Sequence, residues 1–160
     1  MPVLLYLFAL AVVTAKWFGQ GIKGQFGATA ARRVDWVNDT IKVALVKSAF
    51  VPDQDAHDFW NDVSANEIAG TGYTAGGKEL AEKTLVYDAA TNTLRLDAKD
   101  VEWKEAIFTA RFAVIYKDTG VDAESPVLAY VNFGEGNSVA SGTFKLEWDA
   151  TDGVLRVVVS

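Results

Sequence analysis

At 160 residues the chain is the size of one ordinary domain, and half of it is hydrophobic, with five Trp, nine Phe and five Tyr, enough for a core without covalent staples. It has no cysteine, which excludes disulfides, thiolate nucleophiles and Cys-ligated zinc. The net charge of −6 is unevenly placed: residues 1–50 hold Lys16, Lys23, Arg32, Arg33, Lys42 and Lys47 against Asp35 and Asp39, and the rest is strongly acidic. An acidic body argues against general nucleic-acid binding, because phosphate neutralisation needs clustered Lys and Arg.

Residues 2–15 (PVLLYLFALAVVTA) are uncharged and apolar. The run is too short for a membrane-spanning helix, which needs about 20 residues. Three readings stay open. It matches the apolar region of a signal peptide, with Val13-Thr14-Ala15 offering small residues for cleavage, although no Lys or Arg precedes it. It could equally be an apolar arm buried against a neighbouring subunit, or a strand or helix of the domain's own core. The following Lys16–Gly27 segment contains four glycines, each unfavourable to a helix by about 1 kcal/mol, and reads as an extended or loosely turned connector anchored by Trp17, Phe18, Ile22 and Phe26. A short helical turn fits residues 28–31.

From Asp35 onward the hydrophobic period is mostly two, the mark of strands. Thr40–Lys47 alternates Ile41, Val43 and Leu45 with Lys42, Ala44 and Val46. Residues 83–88 and 93–97 flank a short polar link, as in a hairpin. Ile107–Lys117 sets Phe108, Ala110, Phe112, Val114 and Tyr116 on one face. Strands follow at 127–133 and 143–148, the latter expected to close a hairpin with 154–159 through Asp149–Gly153. Ala56–Ile68 lacks alternation and suggests one short helix near 56–66. The expected fold is all-β: a β-sandwich or jelly-roll-like barrel of about seven or eight mostly antiparallel strands. Residues 1–34 form an N-terminal apolar and Gly-rich assembly arm, and residues 35–160 the β-sandwich domain.

Chemistry-bearing patterns are sparse. His57 is the single histidine, and no Gly-x-Ser-x-Gly elbow accompanies it. Asp53, Asp55 and Asp58 form the densest group of potential metal ligands, but the central Gly and closing Glu of a calcium loop are missing, and Asp53 or Asp55 suits a helix N-cap. The Gly70–Lys78 loop lacks the Ser or Thr after Lys and the strand-to-helix setting of a phosphate cradle. No catalytic residue, cofactor or established metal site is assigned.

Five stretches carry a resemblance: Asp35–Leu45 with Val51–Asp58, Asn66–Gly77, Lys83–Asp88 and Ala110–Tyr116. Together they resemble a family of small tailed-bacteriophage proteins encoded among virion structural genes. The resemblance runs from about Lys16 to the C-terminus. It implies a non-enzymatic virion component, in particular a capsid decoration or auxiliary head protein on the capsid surface. Other virion proteins, above all the major capsid protein, would be its partners, with no nucleic acid and no membrane. Self-association into a symmetric oligomer, commonly a trimer, would accompany docking. The expected partner interface is Leu4, Leu5, Leu7, Phe8, Leu10, Trp17, Phe18, Ile22, Phe26, Arg32 and Arg33. The alternatives are a tail or fibre component contacting host glycans through Phe59, Trp60 and Tyr73, and a secreted bacterial β-domain with residues 1–15 as its signal.

Overall fold

The computed structural model describes residues 9–27 and 29–160, the first three of them by backbone alone. It is mostly β, with nine strands and one α-helix among the described residues. A six-stranded sheet holds β1 (Ala9–Val13), β2 (Lys16–Trp17), β3 (Ile41–Val46), β4 (Lys78–Glu79), β7 (Val101–Lys117) and β8 (Val127–Trp148). A three-stranded sheet, ordered β5–β6–β9, holds β5 (Thr84–Asp88), β6 (Thr93–Asp97) and β9 (Leu155–Val158), in a sandwich-like arrangement with the first. All pairings are antiparallel except that of β1 with β8.

The two long strands set the shape. β8 has 22 residues and pairs with the 17-residue β7 along most of its length. Val13 lies beside Trp148, yet Lys16 lies beside Tyr130 of the same strand. A straight strand would separate Tyr130 from Trp148 by about 60 Å. The three-residue link from Val13 to Lys16 spans at most about 11 Å, so the two ends of β8 come within roughly 20 Å of each other. β8 must therefore fold over, and β7 folds with it. The bending coincides with breaks in register between Trp103 and Ala106, at Ala106–Ile107 and between Ala110 and Phe112, and with positive φ at Glu105, Gly134 and Ser141. Bulges of this kind bend a strand and increase its twist.

The bulges also redistribute the side chains. Phe108 and Ala110 enter the main core with Ala113 and Ile115, whereas Phe112, Val114 and Tyr116 enter a second cluster on the opposite face. The single face expected for Phe108–Tyr116 is thus broken at Arg111, where the pairing with β8 jumps from Asn137 to Asn132 and the alternation reverses. Trp103, Phe144, Leu146, Ile41, Val43 and Leu45 centre the main core. Phe18, Trp60 and Phe50 cover the second, which Ala44 and Val46 supply from β3.

Three further expectations change. The strands expected at 127–133 and 143–148 are one strand, paired with β7 on both sides of residues 133–136. Residues 154–159 do not close a hairpin with 143–148: the turn at Asp149–Gly153 carries the chain into the other sheet, where β9 pairs with β6. Val154 is buried there and donates its amide to the Leu96 carbonyl at 2.9 Å. The helix expected near 56–66 is two 3-10 turns, Trp60–Asp62 and Ser64–Asn66.

From Ala9 on, the segment expected as an extended arm belongs to the body. Ala15 is buried and donates its amide to Val154 at 2.8 Å, and Phe18 is fully buried in the second cluster. Residues 19–26, expected as a connector, form the helix α1 (Gly19–Phe26). The glycines explain it. Gly21 and Gly24 are its buried residues, and a Cβ on Gly21 would lie 2.7 Å from the Leu128 carbonyl oxygen of β8. The helix backbone thus rests directly on a strand backbone. Gly21→Ala, which would favour an isolated helix by about 1 kcal/mol, should instead lower stability by about 1–3 kcal/mol in urea unfolding, while the exposed Lys23→Ala changes it little. Equal stability of Gly21→Ala and the parent chain would contradict this packing.

Candidate functional site

The acidic turn is occupied by its own backbone. Asp53 Oδ1 accepts the amides of Asp55 and Ala56, each at 3.0 Å, and the Asp53 amide donates to His57 Nδ1 at 3.1 Å. Asp53 therefore does cap a turn, though no α-helix follows. The His57 ring stacks on Phe50 at 5.1 Å and meets Phe18 edge-on at 5.9 Å, which makes it a packing residue of the second cluster's rim. Asp58 pairs with Arg32, whose guanidinium lies 4.6 Å from the centre of the Phe59 ring. Asp55 is exposed and contributes its carbonyl to Gln20. The three carboxylates do not converge, and among the described residues no group of three His, Cys, Asp or Glu could hold a metal ion.

The expected interface residues part company. Leu4, Leu5, Leu7 and Phe8 lie outside the described residues, and Leu10 is placed in β1 by its backbone. Phe18 is spent on the core, which corrects its assignment to a partner surface. Arg32 is held by Asp58, and the exposed Arg33 donates to the Gly27 carbonyl at 2.9 Å. Trp17, Ile22 and Phe26 do come together. With Val34, Trp36 and Leu128 they form one wall of an apolar groove of about 320 Å³, and Leu85, Leu94, Leu96 and Val157 of the small sheet form the other. That volume is near the lower end for ligand sites, about 300–1,000 Å³.

The groove is apolar because its polar atoms are used up on the backbone. Trp17 Nε1 donates to the Arg156 carbonyl at 3.1 Å and Trp36 Nε1 to that of Asp97 at 3.0 Å. Gln25 donates to the Gly21 carbonyl at 3.0 Å and accepts the Val34 amide at 2.9 Å. Phe26 stands at the groove, 86% exposed. The second wall escaped sequence reasoning. Its signal was the alternation of Leu94 and Leu96, which marks one apolar face of the hairpin and not what covers it.

The aromatics expected to meet glycans are engaged elsewhere. Trp60 is buried and stacks on Tyr116, 4.4 Å between ring centres. Tyr73 donates to Glu67 at 2.6 Å and accepts the Leu45 amide at 3.0 Å. Glu67 also accepts the Gly76 amide at 2.7 Å, and Tyr116 donates to the Gly76 carbonyl at 2.7 Å. These bonds pin the Gly-rich loop to β3 through Leu45 and to β7 through Tyr116. Gly77, with φ at +75°, crosses β3 so closely that a Cβ would lie 2.0 Å from the Val43 oxygen. The loop is therefore a structural crossing that delivers the chain into β4.

Burial pushes the Glu67 carboxyl above its usual 4.5, against the pull of its Tyr73 and Gly76 hydrogen bonds. Burial likewise holds the Tyr73 and Tyr116 hydroxyls above the ordinary tyrosine range, so both remain donors at neutral pH. A carboxyl raised in the fold contributes stability that is complete below its unfolded value and is lost as pH rises through the folded one. Glu67→Gln keeps an acceptor for Tyr73 without the titration. Its stability relative to the parent chain should therefore rise as pH increases from 4.5 in urea unfolding; parallel curves for the two chains would refute the assignment. Comparison with known protein families, curated proteins and solved structures gives no match.

Proposed function

We propose that the chain is a non-enzymatic structural subunit of a tailed-phage virion, an auxiliary head protein that docks on the capsid surface through the groove bordered by residues 17–36. The apolar groove with Phe26 exposed beside it carries this reading. Burying such a ring fully against a partner is worth about 1.5–3 kcal/mol, and contiguous apolar surface of this kind marks contact sites. The fitting occupant is an apolar side-chain cluster of a neighbouring virion protein, with the major capsid protein the first candidate.

The resemblance of five sequence stretches to virion structural proteins supports the same reading. Of the three aromatics in the tail or fibre alternative, Trp60 and Tyr73 are committed within the fold and Phe59 is half-buried beside Arg32, which favours the first reading.

Phe26→Ser should leave folding stability within about 0.5 kcal/mol, as for other exposed positions, yet reduce the copy number on purified particles. Lys23→Ser, on the same helix and outside the groove lining, should be incorporated normally. Full incorporation of Phe26→Ser would overturn the docking role of the groove.

A further inference from the structure

Among the described residues, the small sheet has one open margin. At β9 the Trp17 indole donates to the Arg156 carbonyl at 3.1 Å on the side away from β6. At the other margin β5 pairs only with β6, and all five of its residues are exposed, with Leu85, Val86 and Tyr87 at 49, 49 and 53%. Proteins protect open edges with proline, bulges, inward charges or a covering segment. β5 has none of the first three, since its pairing with β6 runs without a register break and its only charge is terminal Asp88.

We propose that β5 pairs antiparallel with β5 of a second copy about a two-fold axis through Val86, joining two three-stranded sheets into one of six strands. The sequence of the strand selects this register. Residues opposite one another across an antiparallel pair share a face, so a two-fold at Val86 sets Val86 against itself, Leu85 against Tyr87 and Thr84 against Asp88. All five residues are then paired and no like charges face each other. Leu85 meeting Tyr87 is an aliphatic–aromatic pair of the kind that stabilises sheets. A shift of one residue would set Leu85 against Val86 and turn the apolar face of one copy to the solvent face of the other.

The pairing also has a consequence for the groove. Leu85 lines it, so the two grooves would sit side by side on one face of the joined sheet. A dimer would offer a neighbour two linked contacts in place of one, which raises effective affinity without new chemistry. The two-fold itself does not depend on the virion reading and is tested in its absence.

Analytical ultracentrifugation of the purified full chain provides the test. The parent chain should assemble in even multiples, and Val86→Lys, which opposes two ammonium groups across the axis, should halve the mass of the assembly or weaken it at least tenfold. Its circular dichroism spectrum should match the parent's, because Val86 lies on an exposed edge. The chain has no cysteine, so Val86→Cys reports register directly. Opposite Cα atoms lie about 4.5–5.5 Å apart, within disulfide range, whereas Leu85→Cys would face its own copy on the diagonal at about 7–8 Å. Oxidation should link Val86→Cys into a dimer and leave Leu85→Cys largely unlinked. A parent chain that stays monomeric, a Val86→Lys assembly of unchanged mass, or equal linking of the two cysteine variants would overturn the proposal.

Discussion

The fold depends on one closure: the short passage from Val13 to Lys16 that ties the end of β8 to its beginning. Backbone hydrogen bonds on both sides of that passage fix strand regions that would lie far apart in a flat sheet. Everything else follows from the bend. Trp103 and Phe144 meet inside it, their ring centres 5.8 Å apart, and the far half of β7 becomes buried on both faces. The second sheet then covers the open end, with Leu96 and Leu155 in the same core as Ile115.

The same geometry places the groove. Helix α1 can reach the small sheet only because it lies against β8 without side chains between them, which is what Gly21 provides. Its opposite flank carries Ile22 and Phe26 toward Leu94 and Leu85. Residues that look like a loose arm in sequence thus act as a rigid wall. The polar groups that might have wetted the wall are satisfied by carbonyls and amides at its base. The resulting surface is apolar, and it is held at a fixed shape.

Much of this was readable from residue pattern and some was not, for definable reasons. Alternation reported β3 faithfully because the strand is regular: Ile41, Val43 and Leu45 face one core and Ala44 and Val46 the other. It failed in β7 where the chain carries an extra residue. Lys104 and Glu105 are consecutive and exposed, which reads as a break in sequence and is a bulge in structure. Arg111, between two apolar runs, marks a second register shift, in which the longer stretch lies on β8. The turn at Asp149 gave correct local information, since Asp149 Oδ1 accepts the amides of Thr151 and Asp152, each at 2.8 Å. A turn says where the chain reverses and not which sheet it joins. Glycine count misled at α1, because helix propensity measures an isolated helix and this one is stabilised by contact. Of the site, Trp17, Ile22 and Phe26 were visible as unexplained apolar residues, while their facing wall required the tertiary fold.

The parallel alignment of Ala9–Val13 with Phe144–Trp148 has a temporal side. The partners are far apart in sequence, Ala9 pairing with Phe144 and Val13 with Trp148, so on a ribosome this strand is made long before its partner. Contacts of such sequence separation form late, after the local hairpins have paid their closure entropy. The N-terminal strand therefore waits, apolar and unpaired, while β3 to β7 take shape around the core. During that interval it is open to other strands, including those of neighbouring nascent chains. How quickly β8 emerges and folds over thus sets how long the chain must be kept from the wrong partner.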